Sequence, residues 1–177
     1  LRLIVNTHLH SDHCGGNAHL ATQFGCPIWV PPGHYQAAID WTDELLSYLQ
    51  TGQQCERFTP TRALQPGEVL QQNGRHWQAH AAPGHDPHSL ILFEPESGVL
   101  LSADALWEHG FGIVFPEIEE AGSGFDEVGA TLDLIESLPV RIVIPGHGSA
   151  FTAVGQAIKE ARERLEFFRL NPRRHAH

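Results

Sequence analysis

Thr7-His8-Leu9-His10-Ser11-Asp12-His13-Cys14-Gly15-Gly16 places four metal-binding side chains within six positions, spaced His-x-His-x-Asp-His. In an extended segment residues i, i+2 and i+4 point to one side. This predicts that His8, His10 and Asp12 share a face. Asp12 and His13 are neighbours, so both meet one centre only if the chain turns between them. Gly15-Gly16 is read as supplying that turn and as removing Cβ atoms from the approach to a metal. The stretch reads as a metal site.

Outward from it, three more β-runs end in loops that carry ligand-type residues. His76–Ala82 leads into Pro83-Gly84-His85, Val99–Ser102 into Asp104, and Val140–Ile144 into Pro145-Gly146-His147. The strand Leu3–Val5 leads into the opening histidines in the same way. Loops at strand ends collect function because a rigid sheet holds them. A Gly before each of His85 and His147 is expected to let the backbone turn sharply.

These motifs, with 72 residues from His13 to His85, 19 on to Asp104 and 43 on to His147, resemble the metallo-β-lactamase superfamily, in the His-x-His-x-Asp-His-x-Gly-Gly form of the glyoxalase II-like branch. The resemblance spans residues 7 to 148. It implies an α/β fold, an αββα sandwich with the metals at the edge where two sheets meet. It implies that His8, His10 and His85 hold one metal, that Asp12, His13 and His147 hold a second, and that Asp104 bridges them. Asp12 and Asp104 are the expected catalytic residues. Imidazole and carboxylate without thiolate suit two zinc ions, with iron or manganese as alternatives. The implied activity is hydrolysis of a thioester, ester, lactone or phosphoester by a metal-bound hydroxide. The competing activity is that of a mononuclear iron persulfide dioxygenase, which has the same fold. The slot after His13 is variable in the family, so Cys14 is read as structural.

A length of 177 residues suits one domain. We expect residues 1–177 to form a single domain that belongs to a longer chain, because relatives carry further β-structure before this motif. The expected fold therefore lacks part of its N-terminal sheet here, leaving an apolar face to be covered by a partner segment or copy. A formal net charge of −10 argues against a nucleic-acid surface, and hence against RNA processing. No apolar run approaches the roughly 20 residues of a membrane span. A small-molecule substrate is expected, no membrane partner, and a homo-oligomer is compatible. Cys14, Cys26 and Cys55 form an odd, sparse set, which suggests a reducing, cytoplasmic compartment.

Helices are expected over Asn17–Phe24, Tyr35–Gln50, Phe125–Leu138 and Thr152–Leu170, and a hairpin at Asn73-Gly74. Thr51–Arg62 and residues 107–124 read as loops. Among the other histidines, His19, His34, His76 and His80 read as surface or local structural residues, and His175 and His177 as part of a basic tail. His88 is a candidate hydrogen-bond partner for a ligand, and His109 a candidate substrate contact. Phe111 and Phe115 read as core or pocket wall.

Overall fold

The computed structural model describes residues 1–46, 48–114 and 124–171; Phe115, His175 and His177 lie outside them. The chain divides into two compact units, Leu1–Gln65 and Pro66–His177.

In the first unit, strands β1 (Ile4–Val5), β2 (Ile28–Val30) and β3 (Arg62–Ala63) form a parallel sheet in that order. Between β1 and β2 come α1 (Ser11–Cys14) and α2 (Asn17–Phe24); α3 (Pro32–Asp40) and α4 (Tyr48–Thr51) follow β2. Ile28 and Val30 are buried with Leu9, Ala37, Ala38, Leu46 and Phe58. The long helix expected over Tyr35–Gln50 is broken. Trp41 adopts φ +58 at the end of α3, a conformation costly for a side chain with a Cβ. Its ring is held edge-on to Phe58 at 5.4 Å and to Tyr48 at 6.0 Å. Leu45 and Leu49, which fitted the helical period, are exposed.

In the second unit, β4 (Val69–Gln72), β5 (Arg75–Ala81), β6 (Leu90–Glu94), β7 (Val99–Ala103) and β8 (Ile142–Pro145) form a five-stranded sheet in chain order. All its pairs are antiparallel except β7–β8. The β4–β5 turn is Asn73-Gly74, both with positive φ, as a two-residue hairpin requires. Strand registry puts Phe93, Leu100 and Val143 in line on one face. Helices α5 (Phe125–Ser137) and α6 (Val154–Leu170) bury Val128, Leu132, Ile135, Ala157, Ile158, Ala161 and Leu165 in the same core as these three. Each such side chain stabilises the fold by about 1.5–3 kcal/mol if Val, Leu or Ile. The expectation of a buried final strand fails in part. Only Val143 of β8 is buried, while Ile142 and Ile144 are exposed, because β8 is an edge strand with one covered face. Among the described residues no helix is long and apolar enough to cross a membrane.

Candidate metal centre

In the first unit the ligand-type residues follow β1. His8 and His10 are buried, with ring centroids 4.7 Å apart. The extended alternation stops at His10, because Ser11–Cys14 is a helical turn. That turn corrects the expectation that Asp12 lies beside His8 and His10 by strand periodicity. Instead the turn presents consecutive residues. His13 brings its ring to 4.1 Å from that of His8 and its Nε2 to 3.6 Å from Asp12 Oδ2. Asp12 is 53% exposed and His13 13%. Gly15 and Gly16 both have ordinary helical φ, so conformational freedom is not what they provide. A Cβ on Gly15 would lie 2.5 Å from the Ser11 carbonyl oxygen.

Residues absent from the sequence-based expectation hold this turn. Buried Asn17 donates to Asn6 Oδ1 at 2.7 Å, and the Asn6 amide donates to the His13 carbonyl at 3.2 Å. The Ser11 N–H donates to Gln53 Oε1 at 2.6 Å. Tyr48 donates to the Leu9 carbonyl at 2.9 Å. Cys14 is fully buried, 3.3 Å from both Leu9 O and Tyr48 Oη. Burial pushes its thiol pKa up to about 12, which suits the structural role read for it. The Tyr48 hydroxyl is pushed up by the same cause.

In the second unit three strand-end loops converge. His85 Nε2 lies 3.3 Å and His147 Nε2 3.7 Å from the same oxygen, Oδ2 of Asp104. Asp104 is buried and His147 half exposed. The His85 Nδ1 is 2.5 Å from the Ile113 carbonyl; with Nδ1–H donating there, Nε2 is left facing Asp104. Gly84 has φ +139, and a Cβ there would meet Val128 Cγ2 at 2.5 Å, so His85 needs a glycine before it. The parallel expectation for Gly146 fails, since the positive φ falls on Gly148, after His147. Asp104 is delivered by a register shift between Leu101 and Ala103 on β7, with Ala103 at φ +47.

Behind His85 and Asp104 sits Gly112. Its N–H donates to the Asp104 carbonyl at 2.8 Å. A Cβ there would stand 2.6 Å from His85 Nδ1 and 2.8 Å from Asp104 Cβ. Nothing in the sequence near residue 112 pointed to this packing except the density of glycine in the loop.

These spacings fit a metal. Ligand atoms in a tetrahedral shell of radius about 2.1 Å stand about 3.4 Å apart, close to the 3.3, 3.6 and 3.7 Å found within each unit. The potential ligand atoms of His8 and His10, and of His8 and His13, likewise lie within 4.8 Å of one another.

The remaining histidines divide by environment. His19 and His76 are exposed, as expected. His34 is buried in α3. Partial burial lowers the pKa of His80. His88 is exposed and donates its backbone N–H to Asp86 Oδ1 at 2.8 Å. The His109 ring meets Glu160 of α6 at 3.1 Å, and this hydrogen bond raises its pKa. Phe111 is buried in the α5–α6 core, as expected.

Comparison with known proteins adds the family. A sequence model of the metallo-beta-lactamase superfamily matches residues 1–147. Hydroxyacylglutathione hydrolase GloC of Haemophilus influenzae is 30% identical over 161 residues, 88% of this chain and 72% of that protein. Acyl-coenzyme A thioesterase MBLAC2 of Gallus gallus is 27% identical over 85% of this chain, which spans only 58% of that protein. A structure solved in a di-iron-bound form is 26% identical, with a TM-score of 0.70 over 90% of this chain and 75% of the other. The α/β fold expected from the sequence is thus the fold these proteins share, and the chain belongs to the metallo-beta-lactamase superfamily, in its glyoxalase II-like metallohydrolase branch.

Proposed function

We propose that the chain carries the active site of a dinuclear metal-dependent thioester hydrolase. The observation that carries this reading is Asp104, one of whose oxygens serves two imidazoles at 3.3 and 3.7 Å, as a carboxylate shared by two ions would. His8, His10 and His85 would hold one ion; Asp12, His13 and His147 the other. Zinc is the metal the donor set favours, and a reducing, cytoplasmic setting suits the unpaired thiols.

When bound, such ions would supply Lewis acidity toward a carbonyl and a water of lowered pKa. The chain's own residues supply the rest. Asp12, the most exposed carboxylate of the set, orients the attacking water by accepting its hydrogen bond. Asp104 keeps His85 and His147 in register, and the Ile113 carbonyl fixes the His85 tautomer. None of the seven residues is left over as a general acid. A thiolate leaves near neutral pH without one, since thiol pKa values lie near 8.5; an alkoxide or amide nitrogen does not. That chemistry favours thioesters over the ester, lactone and phosphoester alternatives. The two named relatives, a hydroxyacylglutathione hydrolase and an acyl-coenzyme A thioesterase, support the same class.

The test is metal analysis of the purified chain beside a panel of thioesters, oxygen esters, lactones and phosphodiesters. About two equivalents of zinc with thioester cleavage fits the proposal. One equivalent of iron with oxygen uptake would replace it with the dioxygenase reading.

A further inference from the structure

Cys14 and Cys55 lie 41 residues apart in sequence, yet their sulfurs stand 3.7 Å from each other. Cys14 is fully buried at the end of α1, directly after His13. Cys55 is half-buried and borders an open cavity of about 370 Å³ lined with Tyr48, Leu49, Gly52 and Gln53. A solvent-borne reagent therefore meets Cys55 first. The same 53–55 segment grips the His10–Cys14 turn a second time, through Gln53 and the Ser11 N–H at 2.6 Å. Cys26, the third cysteine, is buried elsewhere in the unit.

We infer that Cys55 is a modification site for low-molecular-weight disulfides, that Cys14 resolves the adduct to an internal disulfide, and that this bond controls the metal-ligand turn. In the first step Cys55 gives its proton to solvent and its sulfur attacks one sulfur of the reagent. The reagent S–S bond breaks, and one thiolate leaves and takes up a proton. In the second step the Cys14 sulfur attacks the Cys55 sulfur 3.7 Å away, the mixed S–S bond breaks, and the departing thiolate takes up the Cys14 proton and leaves as the second free thiol. Two protein thiols are oxidised and one reagent disulfide is reduced to two thiols. Cys14 is a poor target for any external reagent because it is buried. Against a sulfur 3.7 Å away its reaction is intramolecular, with the rate advantage that proximity confers.

Closing the gap to the roughly 2.05 Å of a disulfide draws Cys14, at the end of α1, and Cys55 of the 53–55 segment together. Asp12 and His13 ride on α1, and the 53–55 segment holds the Ser11 N–H through Gln53, so a shift of either reaches two proposed ligands. This consequence rests on the metal reading above; the formation of the bond does not.

The full chain, reduced and metal-loaded, would be treated with bis(2-hydroxyethyl) disulfide under native conditions. Peptide mapping should find Cys14 joined to Cys55, with Cys26 unmodified. Zinc affinity should fall at least ~10-fold, as expected when ligand orientation is disturbed, and a reductant should restore it. The Cys55→Ser chain should form no cross-link and keep its zinc affinity under the same treatment. Cys55 stopping at the mixed disulfide, or remaining unmodified, overturns the pair. A cross-link with unchanged zinc affinity overturns control of the turn. A chain that takes up no zinc before oxidation refutes the metal reading instead, and the peptide map still decides whether the pair forms.

Discussion

Asp104 is the residue whose loss the site should tolerate least. Its one oxygen faces two imidazoles, and in the proposed site its negative charge would offset the repulsion between two cations. Asp104→Ala should lower hydrolysis at least ~100-fold and reduce bound metal, more than any substitution of a histidine outside the seven. Equal turnover and metal content in variant and parent would remove Asp104 from the site. Gly112 makes a subtler case, because it has no side chain and acts only through His85 and Asp104 beside it. In Gly112→Ala the new methyl group would press on His85 Nδ1 and Asp104 Cβ. We expect a loss of about 1–3 kcal/mol from overpacking and metal affinity weaker by about 10–100-fold, read by denaturant melts and metal titration. The seven ligand-type residues were legible in sequence because their chemistry is carried by residue type and by position after a strand. Asn6, Gln53 and Gly112 were not. Each matters through a partner distant in sequence or packed from another loop, and no local pattern encodes that.

At the level of elements, local signals predicted what local forces build. Asn17–Phe24 and Ile28–Val30 appear with the expected bounds, and the Asn73-Gly74 hairpin forms because its turn needs only two residues of positive φ. The strand Arg62–Ala63 begins where a loop is expected, since two residues acquire strand character only by pairing with Trp29 and Val30. The turn between β6 and β7 supplies a prediction of its own. Buried Glu94 accepts hydrogen bonds from the Glu96 and Ser97 backbone N–H groups and from the Ser97 hydroxyl, with Arg75 at 3.3 Å. The Ser97 hydroxyl bond leads these in holding the carboxyl below its ordinary pKa. A lowered folded-state pKa means the unfolded chain takes up the proton more readily. The stabilisation is therefore present above the unfolded value and lost as pH falls through the folded one. Melting curves should show the parent losing stability below about pH 4. Glu94→Gln should be less stable at neutral pH and flatter in acid. Parallel pH profiles would show that Glu94 does not carry this dependence.

For the molecule as a whole, metal should act as a folding ligand. The proposed site would draw its ligands from both units, and the chain carries a formal charge of −10 that bound cations would partly offset. A ligand at 100 times its dissociation constant stabilises by about 2.7 kcal/mol. For a chain of this size each kcal/mol is worth about 2–4 °C. Chelation should thus lower Tm by roughly 5–10 °C, and restored zinc should recover it. A Tm indifferent to chelator and to added metal would separate the fold's stability from the proposed site. Sequence could not reach this scale unaided. The order of the candidate ligands is a matter of sequence, but which residues collect in each unit depends on long-range packing.

Ala103, held at φ +47 beside the register shift that delivers Asp104, has a consequence for anyone seeking a hardier protein. A left-handed alanine costs about 1–2 kcal/mol, and glycine relieves most of this while giving back some chain entropy. Ala103→Gly should therefore raise Tm by a few degrees. The same exchange frees the backbone that aims Asp104, so turnover should drop as the melting point climbs. A screen that selects variants by heat resistance alone would collect this substitution, and in doing so would blunt the enzyme.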